Sequence, residues 1–451
     1  MLHATQILSD FAATLKYDDL SETVIETTKK YIIDYYAACF AGIKVNTVFN
    51  KAVEEVMNEM GGREECDYIL SKNKLPCANS AFLSACYAHG ADMDDGNRKA
   101  MGHVGAHVIS AVLTLSQTLN VSGKDIITAI NVGYEVYNRV AAAVQPGLVH
   151  RGFHSTGTAG AIACGAACAK LMGMDSEGIY NTMALCAVQS SGLIIIAESG
   201  QACKPVNPAN AARTGIISSK LIAKGVKSSV FPLESKKGFF HAMSEEVDEA
   251  MITDGLGENF TICESYMKPY PSCRHTHCGI ECALEIRKRL PGVEAIKSVK
   301  VYIYNNAIQI AGQIVRPENP DDAKFSIHYS LAVALARGHF NLSDLDISDK
   351  YDGVLELLDK IELIRDDSME NRDMGIRGSR VMVETEDGNT YEETVLIPKG
   401  DAANPFTLED LKEKMSGCAE NVIDSAQQSM LIERILTLET AESFDSINLF
   451  R

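Results

Sequence analysis

Basic and imidazole side chains gather at five places in the chain, each beside glycine, proline or other small residues. The five groups are His103 with His107; His150, Arg151 and His154; Lys204 with Arg213; Lys268, Arg274, His275 and His277; and Lys324, His328 and Tyr329. Imidazole titrates near neutral pH and suits proton transfer, whereas Lys and Arg side chains neutralise carboxylates. If the fold brings these groups together, they form a positive pocket. Such a pocket predicts a small polycarboxylate substrate and chemistry at a carbon next to a carboxylate.

Each group also has an ordinary structural explanation. A single histidine is more often a hydrogen-bonded structural residue than a catalyst, and lysines are usually solvated at the surface. Lys204 and Lys268, however, each precede a proline, which restricts the backbone and holds the side chain on a rigid turn. This position favours a binding role for both lysines.

The segment from Cys273 to Cys282 holds three cysteines and two histidines, which are ligand types of zinc and iron–sulfur sites. It contains no C-x-x-C pair, and Cys278 and Cys282 simply share a helix face. Arg274 among the ligands would also repel a cation. Three interpretations stay open, namely a metal site, a metal-free turn that binds an anion, and simple packing. The sequence favours the metal-free turn.

Several common active-site motifs are missing from the sequence. It has no G-x-G-x-x-G, no complete P-loop and no G-x-S-x-G nucleophile motif. The acidic run that begins at Asp92 only superficially resembles a calcium loop, since Gly96 stands at the fifth position and His103 at the twelfth. The sequence therefore disfavours nucleotide, serine-hydrolase and calcium chemistry.

Composition narrows the class of protein. The 451 residues are 46% apolar and 23% charged, which is typical of a globular enzyme with two or three domain-sized parts. Lys and Arg number 42 against 60 Asp and Glu, so the formal net charge is −18. That balance disfavours nucleic acid and anionic membrane as partners, because both require clustered Lys and Arg.

Targeting features point to the cytoplasm. No apolar run approaches the roughly 20 residues that span a bilayer. The N-terminus has neither a basic leader nor the apolar core of a secretory signal. The thirteen cysteines then indicate reduced thiols and not a disulfide framework.

Helical periodicity dominates the first part of the chain. Apolar spacing predicts helices over residues 23–41, 81–91, 108–119 and 126–144. Residues 156–174 are rich in Gly and Ala, whose small side chains let neighbouring backbones approach closely. This stretch predicts the packed centre of a helical domain.

Strand-like alternation begins near residue 295. It predicts strands over residues 299–303, 361–364, 381–385 and 391–397, with a helix over 326–337. Asp387-Gly388-Asn389 predicts a hairpin between the last two strands. Thr407 followed by Asp410 predicts the start of a C-terminal helix. We therefore predict a mainly α fold, in which a large all-helical domain built from both chain ends (1–262 and 403–451) carries an inserted smaller α+β domain (263–402).

Seven motifs in a fixed order resemble one known family. They are His89-Gly90-Ala91-Asp92-Met93-Asp94-Asp95; Gly102-His103; Arg151-Gly152-Phe153-His154-Ser155-Thr156-Gly157; Lys204-Pro205 with Ala211-Ala212-Arg213-Thr214-Gly215; Lys268-Pro269-Tyr270-Pro271-Ser272-Cys273-Arg274-His275-Thr276-His277; Ala323-Lys324-Phe325-Ser326-Ile327-His328-Tyr329; and Pro398-Lys399-Gly400. Over nearly the whole chain this series resembles the 2-methylcitrate dehydratase family, also called MmgE/PrpD. That family includes cis-aconitate decarboxylase and iminodisuccinate epimerase.

The resemblance carries expectations for architecture and site. It implies a helical domain with an α+β lid, a homodimer, and a cleft active site that needs no metal and no organic cofactor. It implies that this cleft is lined by Asp92, His103, His154, Lys204, Lys268 and Tyr329, with Arg213 and His277 as neighbours.

The resemblance also suggests roles. His154 or His103 would remove a proton α to a carboxylate, while Lys204 and Lys268 hold carboxylates and stabilise enediolate-like charge. Tyr329 or the second histidine would return the proton or assist a leaving hydroxide. Asp92 would orient a histidine, and Arg213 and His277 would help to bind substrate.

Some positions depart from the family pattern. Gly96 stands where relatives commonly carry Thr, Val104 follows His103 where many have Pro, and His107 is an additional imidazole. Cys273 stands where some relatives place a histidine. These differences argue against strict 2-methylcitrate or cis-aconitate specificity, whereas the intact proton-transfer set argues for an active enzyme.

Four functions are compatible with these residues. The leading one is a cofactor-independent lyase, 2-methylcitrate dehydratase-like, which removes water, or less favourably carbon dioxide, from a small di- or tricarboxylate. The second is an epimerase of an iminodisuccinate-type acid that uses two bases. The others are an iron–sulfur hydro-lyase built on the cysteines of residues 273–282 and a non-catalytic carboxylate-binding relative.

Overall fold

The computed structural model of the chain describes residues 2–71, 73–198, 202–347, 353–371 and 375–443. It divides into two compact units, the first comprising residues 1–90, 94–266 and 407–451 and the second residues 91–93 and 267–406. The predicted boundaries lie at 262 and 402, with residues 91–93 in the helical part, so the observed boundaries fall four residues later and move residues 91–93 to the second unit.

The first unit is built mainly from helices. In chain order they are α1 (Ala4–Thr14), α2 (Glu22–Val45), α3 (Thr47–Met60), α4 (Cys77–His89), α5 (Gly105–Ser116), α6 (Gly123–Ala142), α7 (Gly147–His150), α8 (Ser155–Leu171), α9 (Ser176–Ala187), α10 (Ile195–Glu198), α11 (Val206–Ile222), α12 (Phe239–Met243) and α13 (Ala250–Thr253). Two short strands, β1 (Cys66–Asp67) and β2 (Lys74–Leu75), pair antiparallel. The predicted mainly α fold is confirmed.

The second unit combines short helices with a sheet. Its helices are α14 (His277–Arg287), α15 (Asn305–Ala311), α16 (Pro320–Lys324), α17 (Ile327–Arg337) and α18 (Leu355–Leu358), and its strands are β3 (Ile296–Ile303), β4 (Ile361–Arg365), β5 (Glu370–Asn371), β6 (Ile376–Arg377), β7 (Ser379–Thr385) and β8 (Thr390–Val395). The main sheet has the order β4-β3-β7-β8, with β3 and β4 parallel and the other pairs antiparallel. Gly388 adopts the left-handed φ of 84° between β7 and β8, so the predicted hairpin is confirmed.

Helix α8 is the small-residue helix at the centre of the first unit. It packs against α6, α9 and α11, and almost all of its residues are buried. Gly215 on α11 shows how close the backbones come, because a Cβ added there would lie 2.5 Å from the Cβ of Cys164. The prediction of a packed helical centre over 156–174 is therefore confirmed. This close packing fixes where the N-terminus of α8 points.

The chain ends in two further helices, α19 (Leu408–Ala419) and α20 (Ser425–Leu436), which belong to the first unit. Thr407 and Asp410 form the predicted capping box, since each side chain accepts from the other's backbone N–H. Helix α19 packs on α2, where Lys414 Nζ lies 2.6 Å from Asp34 Oδ1. Both side chains of this ion pair are at most 3% exposed.

Within the described ranges, no helix combines the length and the hydropathy that crossing a bilayer requires.

The Asp34–Lys414 pair allows a test of how the C-terminal helices are held. Replacing Lys414 with Met should lower the free energy of unfolding by about 3–5 kcal/mol, because it leaves the buried Asp34 carboxylate without its cation. The double variant Lys414→Met/Asp34→Leu should lose less, because neither charge then remains in the core. Urea unfolding followed by circular dichroism measures both. A loss under about 1 kcal/mol in the single variant, as for exposed pairs, would contradict this account.

Candidate active site

His89, Asp94 and His103 form a buried hydrogen-bonded cluster in the first unit. His89 is the last residue of α4, and His103 lies two residues before α5 begins. The Asp94 Oδ2 atom lies 2.7 Å from Nδ1 of His89 and 3.3 Å from Nδ1 of His103. The two imidazole rings meet edge to face with their centroids 4.7 Å apart. Asp94 therefore orients both rings.

The electrostatics of this cluster follow from burial and from these contacts. Burial by itself raises the pKa of Asp94, but His103 and His89 hold that pKa well below its ordinary value. Burial lowers the pKa of His89 to about 4, so His89 is neutral near pH 7. The carboxylate is thus an anion, and an imidazolium at His103 would form a charge-assisted hydrogen bond with it.

Asp95 fixes the backbone of the same segment. Its carbonyl accepts a 2.7 Å hydrogen bond from Nδ1 of His103. Its Oδ1 atom accepts from the Gly105 N–H and its Oδ2 atom from the Tyr134 hydroxyl, each at 2.7 Å. Burial and the neighbouring Asp94 charge raise the pKa of Asp95 to about 7. These bonds tie the start of α5 to α6 and so hold His103 in place.

His154 stands at the N-terminus of α8 and is buried. Its Nδ1 atom lies 3.0 Å from the side-chain nitrogen of Asn207, and its ring lies 6.3 Å from that of His89. In the first turn of the same helix, Thr156 Oγ1 accepts a 3.1 Å hydrogen bond from the backbone N–H of His103. The start of α8 therefore positions both histidines that the sequence analysis selected.

The predicted basic residues of this unit differ in their surroundings. Lys204 is half-buried just before α11, and its charge adds to the effect of burial in lowering the pKa of His89. Arg213 lies further along α11, with its guanidinium 5.2 Å from the centre of the Phe82 ring and 3.3 Å from Asn210 Oδ1. The unit thus brings His103, His154 and Lys204 into one region, whereas Arg213 contacts Phe82 and Asn210.

In the second unit, Asp92 and Lys268 form a buried ion pair. Lys268 Nζ lies 3.1 Å from Asp92 Oδ2 and donates a 2.8 Å hydrogen bond to the Asp92 carbonyl. Asp92 has a left-handed φ of 55°, which is uncommon for a residue other than glycine and is often found at functional sites. Asp92 is predicted to orient a histidine, and within the first unit the carboxylate that orients His103 is that of Asp94.

His277 uses both ring nitrogens within the second unit. Its Nδ1 atom accepts from Arg274 at 3.1 Å, and its Nε2 atom donates to the Ser272 carbonyl at 3.2 Å. Burial, followed by the charges of Arg274 and Lys268, holds the pKa of His277 well below its ordinary value. Arg274 also forms a 3.6 Å ion pair with Asp401. Arg274 and His277 therefore bond to each other and to other parts of the second unit. These contacts favour a packing role over the anion-binding turn.

Tyr329, the last predicted catalytic residue, lies on α17 with its side chain buried. Its hydroxyl donates a 2.6 Å hydrogen bond to the backbone carbonyl of Asp344. In this arrangement the phenolic proton is directed at the protein's own backbone.

Two of the three cysteines of residues 273–282, Cys278 and Cys282, are buried and bonded to the backbone. The thiols of Cys278 and Cys282 lie 3.1 and 3.4 Å from the carbonyls of Arg377 and Ser379, to which they donate. Burial raises the pKa of Cys282 to about 12 and that of Cys278 well above its ordinary value. Both thiols thus have hydrogen-bond partners within the fold, as expected for packed structural cysteines.

His89, Asp94 and His103 also have the residue types of a metal site, and they offer ligand atoms within 4.8 Å of one another. The 2.7 and 3.3 Å separations between the Asp94 carboxylate and the two Nδ1 atoms are, however, those of direct hydrogen bonds. The geometry therefore fits a hydrogen-bonded proton-transfer cluster. That the reaction needs no metal stays a prediction.

Sequence reasoning missed three residues of this region. Asp94 and His89 stood inside a quoted motif without a role, and Asn207 was not considered. Asn207 follows the Lys204-Pro205 motif by two residues and is the second residue of α11. Pro205 precedes the start of α11, so Asn207 lies in the first turn of that helix, opposite His154. The sequence shows the helix start but not the contact.

Comparison with known protein families identifies the chain. Residues 6–250 match the model of the MmgE/PrpD N-terminal domain, and residues 270–440 match that of the MmgE/PrpD C-terminal domain. The chain belongs to the MmgE/PrpD family. The predicted resemblance is thus confirmed.

Characterised MmgE/PrpD relatives include several decarboxylases. The cis-aconitate decarboxylase of Aspergillus terreus is 26% identical over 96% of this chain and 93% of its own length. The human cis-aconitate decarboxylase is 26% identical over 95% of this chain and 90% of its own length, and that of Mus musculus is 24% identical over 95% and 89%.

His107, the additional imidazole, lies on α5 in the core of the first unit. Among the described residues, neither of its ring nitrogens has a hydrogen-bond partner. Its ring packs 5.1 Å from that of Tyr137. Burial, followed by the charge of His89, lowers the pKa of His107 to about 3.

We predict that His107 makes folding sensitive to acid. The unfolded histidine binds a proton near pH 6.5 and the folded one only near pH 3, so stability is lost as the pH falls through this window. From about pH 7.5 to about pH 5 the cost should be about 2 kcal/mol. His107→Leu should remove that part of the loss in urea unfolding, whereas His241→Leu, at an exposed histidine, should not. Equal acid losses in His107→Leu and the natural protein would contradict the assignment.

Proposed function

We propose that this protein is a cofactor-independent lyase for a small tricarboxylate and that its reaction is decarboxylation of a cis-aconitate-type acid. The observation that carries the proposal is the Asp94–His103 dyad, a carboxylate and an imidazole 3.3 Å apart, placed near the cation of Lys204. The relatives named above support the choice of decarboxylation. Each is a cis-aconitate decarboxylase, and each matches this chain over about nine-tenths of its own length.

The dyad suits the proton transfer that this reaction needs. When the bond to the departing carboxylate breaks, carbon dioxide leaves and the electron pair stays on the carbon skeleton, conjugated with a second carboxylate. The His103 imidazolium then gives its Nε2 proton to carbon, becomes neutral, and takes a new proton from water. Asp94 stabilises the charged form of His103, and Lys204 neutralises a substrate carboxylate. The roles predicted for Asp92, Lys268, Arg213, His277 and Tyr329 stay predictions.

Dehydration of a 2-methylcitrate-type acid is the second candidate. The same dyad favours it, because neutral His103 can remove a proton α to a carboxylate while Asp94 stabilises the imidazolium that forms. The two reactions differ in what leaves, so a single assay separates them.

Product analysis tests the function directly. Purified, chelator-treated protein is incubated in deuterium oxide with citrate, 2-methylcitrate, cis-aconitate, malate-type and iminodiacid substrates, and products are followed by proton NMR. We expect carbon dioxide release from cis-aconitate with one deuterium placed on the remaining skeleton. His103→Gln should lower the rate by about 100-fold or more through loss of the proton carrier. His241→Gln, at an exposed histidine, should leave the rate unchanged.

The other outcomes have definite meanings. A new olefin without carbon dioxide identifies a dehydratase, and stereochemical scrambling without either identifies an epimerase. Activity that chelation abolishes and a divalent metal restores contradicts the metal-free assignment. The proposal is overturned if the natural protein turns over none of these acids faster than the His103→Gln variant does.

We also propose that the protein forms a homodimer through the face of α9 and α11. Gln189, just after α9, donates a hydrogen bond to Ser218 on α11, so the exposed apolar side chains of this region are neighbours. Val188 is 65% exposed, and Ile217 and Leu221, one turn apart on α11, are each 42% exposed. Adjacent exposed apolar side chains of this kind often mark an interface between chains.

Light scattering coupled to size exclusion tests the assembly. We expect twice the 49.0 kDa chain mass for the natural protein and the single-chain mass for Ile217→Glu/Leu221→Glu, because buried charges oppose association. Val48→Glu, at an apolar side chain that is 85% exposed on α3, should stay dimeric. A monomeric natural protein, or a dimeric double variant, would contradict this interface.

A further inference from the structure

His103 and His154 have Nδ1 atoms in hydrogen bonds of opposite polarity. Nδ1 of His103 lies 2.7 Å from the Asp95 carbonyl, which can only accept, so this nitrogen carries a proton. Nδ1 of His154 lies 3.0 Å from Nδ2 of Asn207, which can only donate, so this nitrogen carries the lone pair. The neutral rings are therefore opposite tautomers.

The orientation of the Asn207 amide decides the argument for His154. The same Nδ2 atom lies 3.4 Å from the Leu193 carbonyl, and a reversed amide would set its oxygen against that carbonyl. Packing also confines the side chain, because a Cβ added at Gly192 would lie 3.1 Å from the Asn207 amide carbon. One added at Gly157 would lie 3.2 Å from the Asn207 Cβ. The Asn207 side chain thus packs closely against Gly157 and Gly192, and this packing restricts its orientation.

The surroundings of His103 have the opposite effect. The anionic Asp94 carboxylate lies 3.3 Å from its Nδ1–H and compensates positive charge on the ring. A second proton on His154 would instead point Nδ1–H at the N–H of Asn207, which costs an unsatisfied buried donor. Next to His154, the charges that act on the neighbouring ring of His89 are those of Asp94, His103 and Lys204, and His107 on α5 interacts with His89 as well. Of these, the cation of Lys204 opposes positive charge on the His89 ring.

We infer that Asn207 is a positioning residue that keeps His154 neutral with its proton on Nε2, so that His154 is a hydrogen-bond donor and His103 is the proton carrier. The inference deepens the proposed function and rests on it for the reacting molecule. His154 would donate from Nε2 to the carboxylate oxygen on which negative charge grows, and this proton is not transferred. Neutral His103 presents its Nε2 lone pair as a base, and charged His103 presents a proton as an acid. No covalent or redox change at either ring is required.

The tautomers can be measured without any substrate. In protein labelled with 15N-histidine, long-range proton–nitrogen correlation spectra distinguish protonated from unprotonated ring nitrogens. The His154 resonances are assigned by their loss in His154→Gln. We expect an unprotonated Nδ1 and a protonated Nε2 from about pH 6 to about pH 8, around the ordinary histidine pKa. A protonated Nδ1 in the natural protein overturns the inference, whatever its activity.

Asn207→Asp is the matched perturbation. A carboxylate at this place accepts from Nδ1, so His154 should gain a proton there and titrate at a higher pH than in the natural protein. Asn181→Asp, on α9, is the control. Asn181 is 8% exposed and Asn207 7%, but the amide of Asn181 bonds only backbone groups in the described structure and no imidazole ring. The control should leave the His154 spectrum unchanged. If Asn207→Asp does not fold, the spectrum of the natural protein still decides the tautomer.

Kinetics separate this inference from the proposed function. With an active substrate in hand, Asn207→Asp should lower kcat by about 10-fold or more and add a new limb to its pH profile near the His154 pKa, as for loss of a preorganised donor. Unchanged kcat and pH profile would overturn the positioning role. Expected tautomers together with no turnover on any acid would instead count against the proposed function alone.

Discussion

A carboxylate buried in a helical core is the constraint on which the site depends. Asp94 is 2% exposed, and an anion there is costly unless donors satisfy it. The donors are the Nδ1–H groups of His89 and His103, at 2.7 and 3.3 Å. Because one imidazole ends α4 and the other precedes α5, satisfying this single charge sets the path of the chain between the two helices.

Neighbouring carboxylates in this segment have different pKa values because their surroundings differ. Asp94 accepts from two imidazoles and has a pKa well below its ordinary value, whereas Asp95, beside that anion, has a pKa raised to about 7. Asp95 nevertheless accepts from Tyr134 and from the backbone of Gly105, which hold it as part of the scaffold. Asp92, two residues before Asp94, belongs to the second unit and pairs with Lys268. Adjacent positions in one motif therefore serve three different purposes.

Local patterns were enough to predict the elements but not the partners. Period-3.6 spacing found α2 and α6, and alternation found β3 and the β7–β8 hairpin, because these periods report directly which face is buried. Thr407 and Asp410 predicted the start of α19 for an equally local reason. By contrast, the bond from His154 to Asn207 and the stacking of Arg213 on Phe82 join residues far apart in the chain. No spacing rule records such contacts, so the roles predicted for Arg213 and Asp92 rest on the family resemblance and stay predictions.

The division of labour between the two histidines bears on which reaction the fold can support. An epimerase that works with two bases needs, on each face of one carbon, a group that can both take up and give back a proton. With the tautomers inferred above, neutral His103 offers a lone pair at Nε2, but His154, whose Nδ1 lies 3.0 Å from the Asn207 amide nitrogen, offers an N–H that it does not exchange. Decarboxylation and dehydration need one proton carrier and donors that stabilise growing negative charge, which are the roles proposed for this pair. The polarity of one buried amide thus favours a lyase over a two-histidine epimerase.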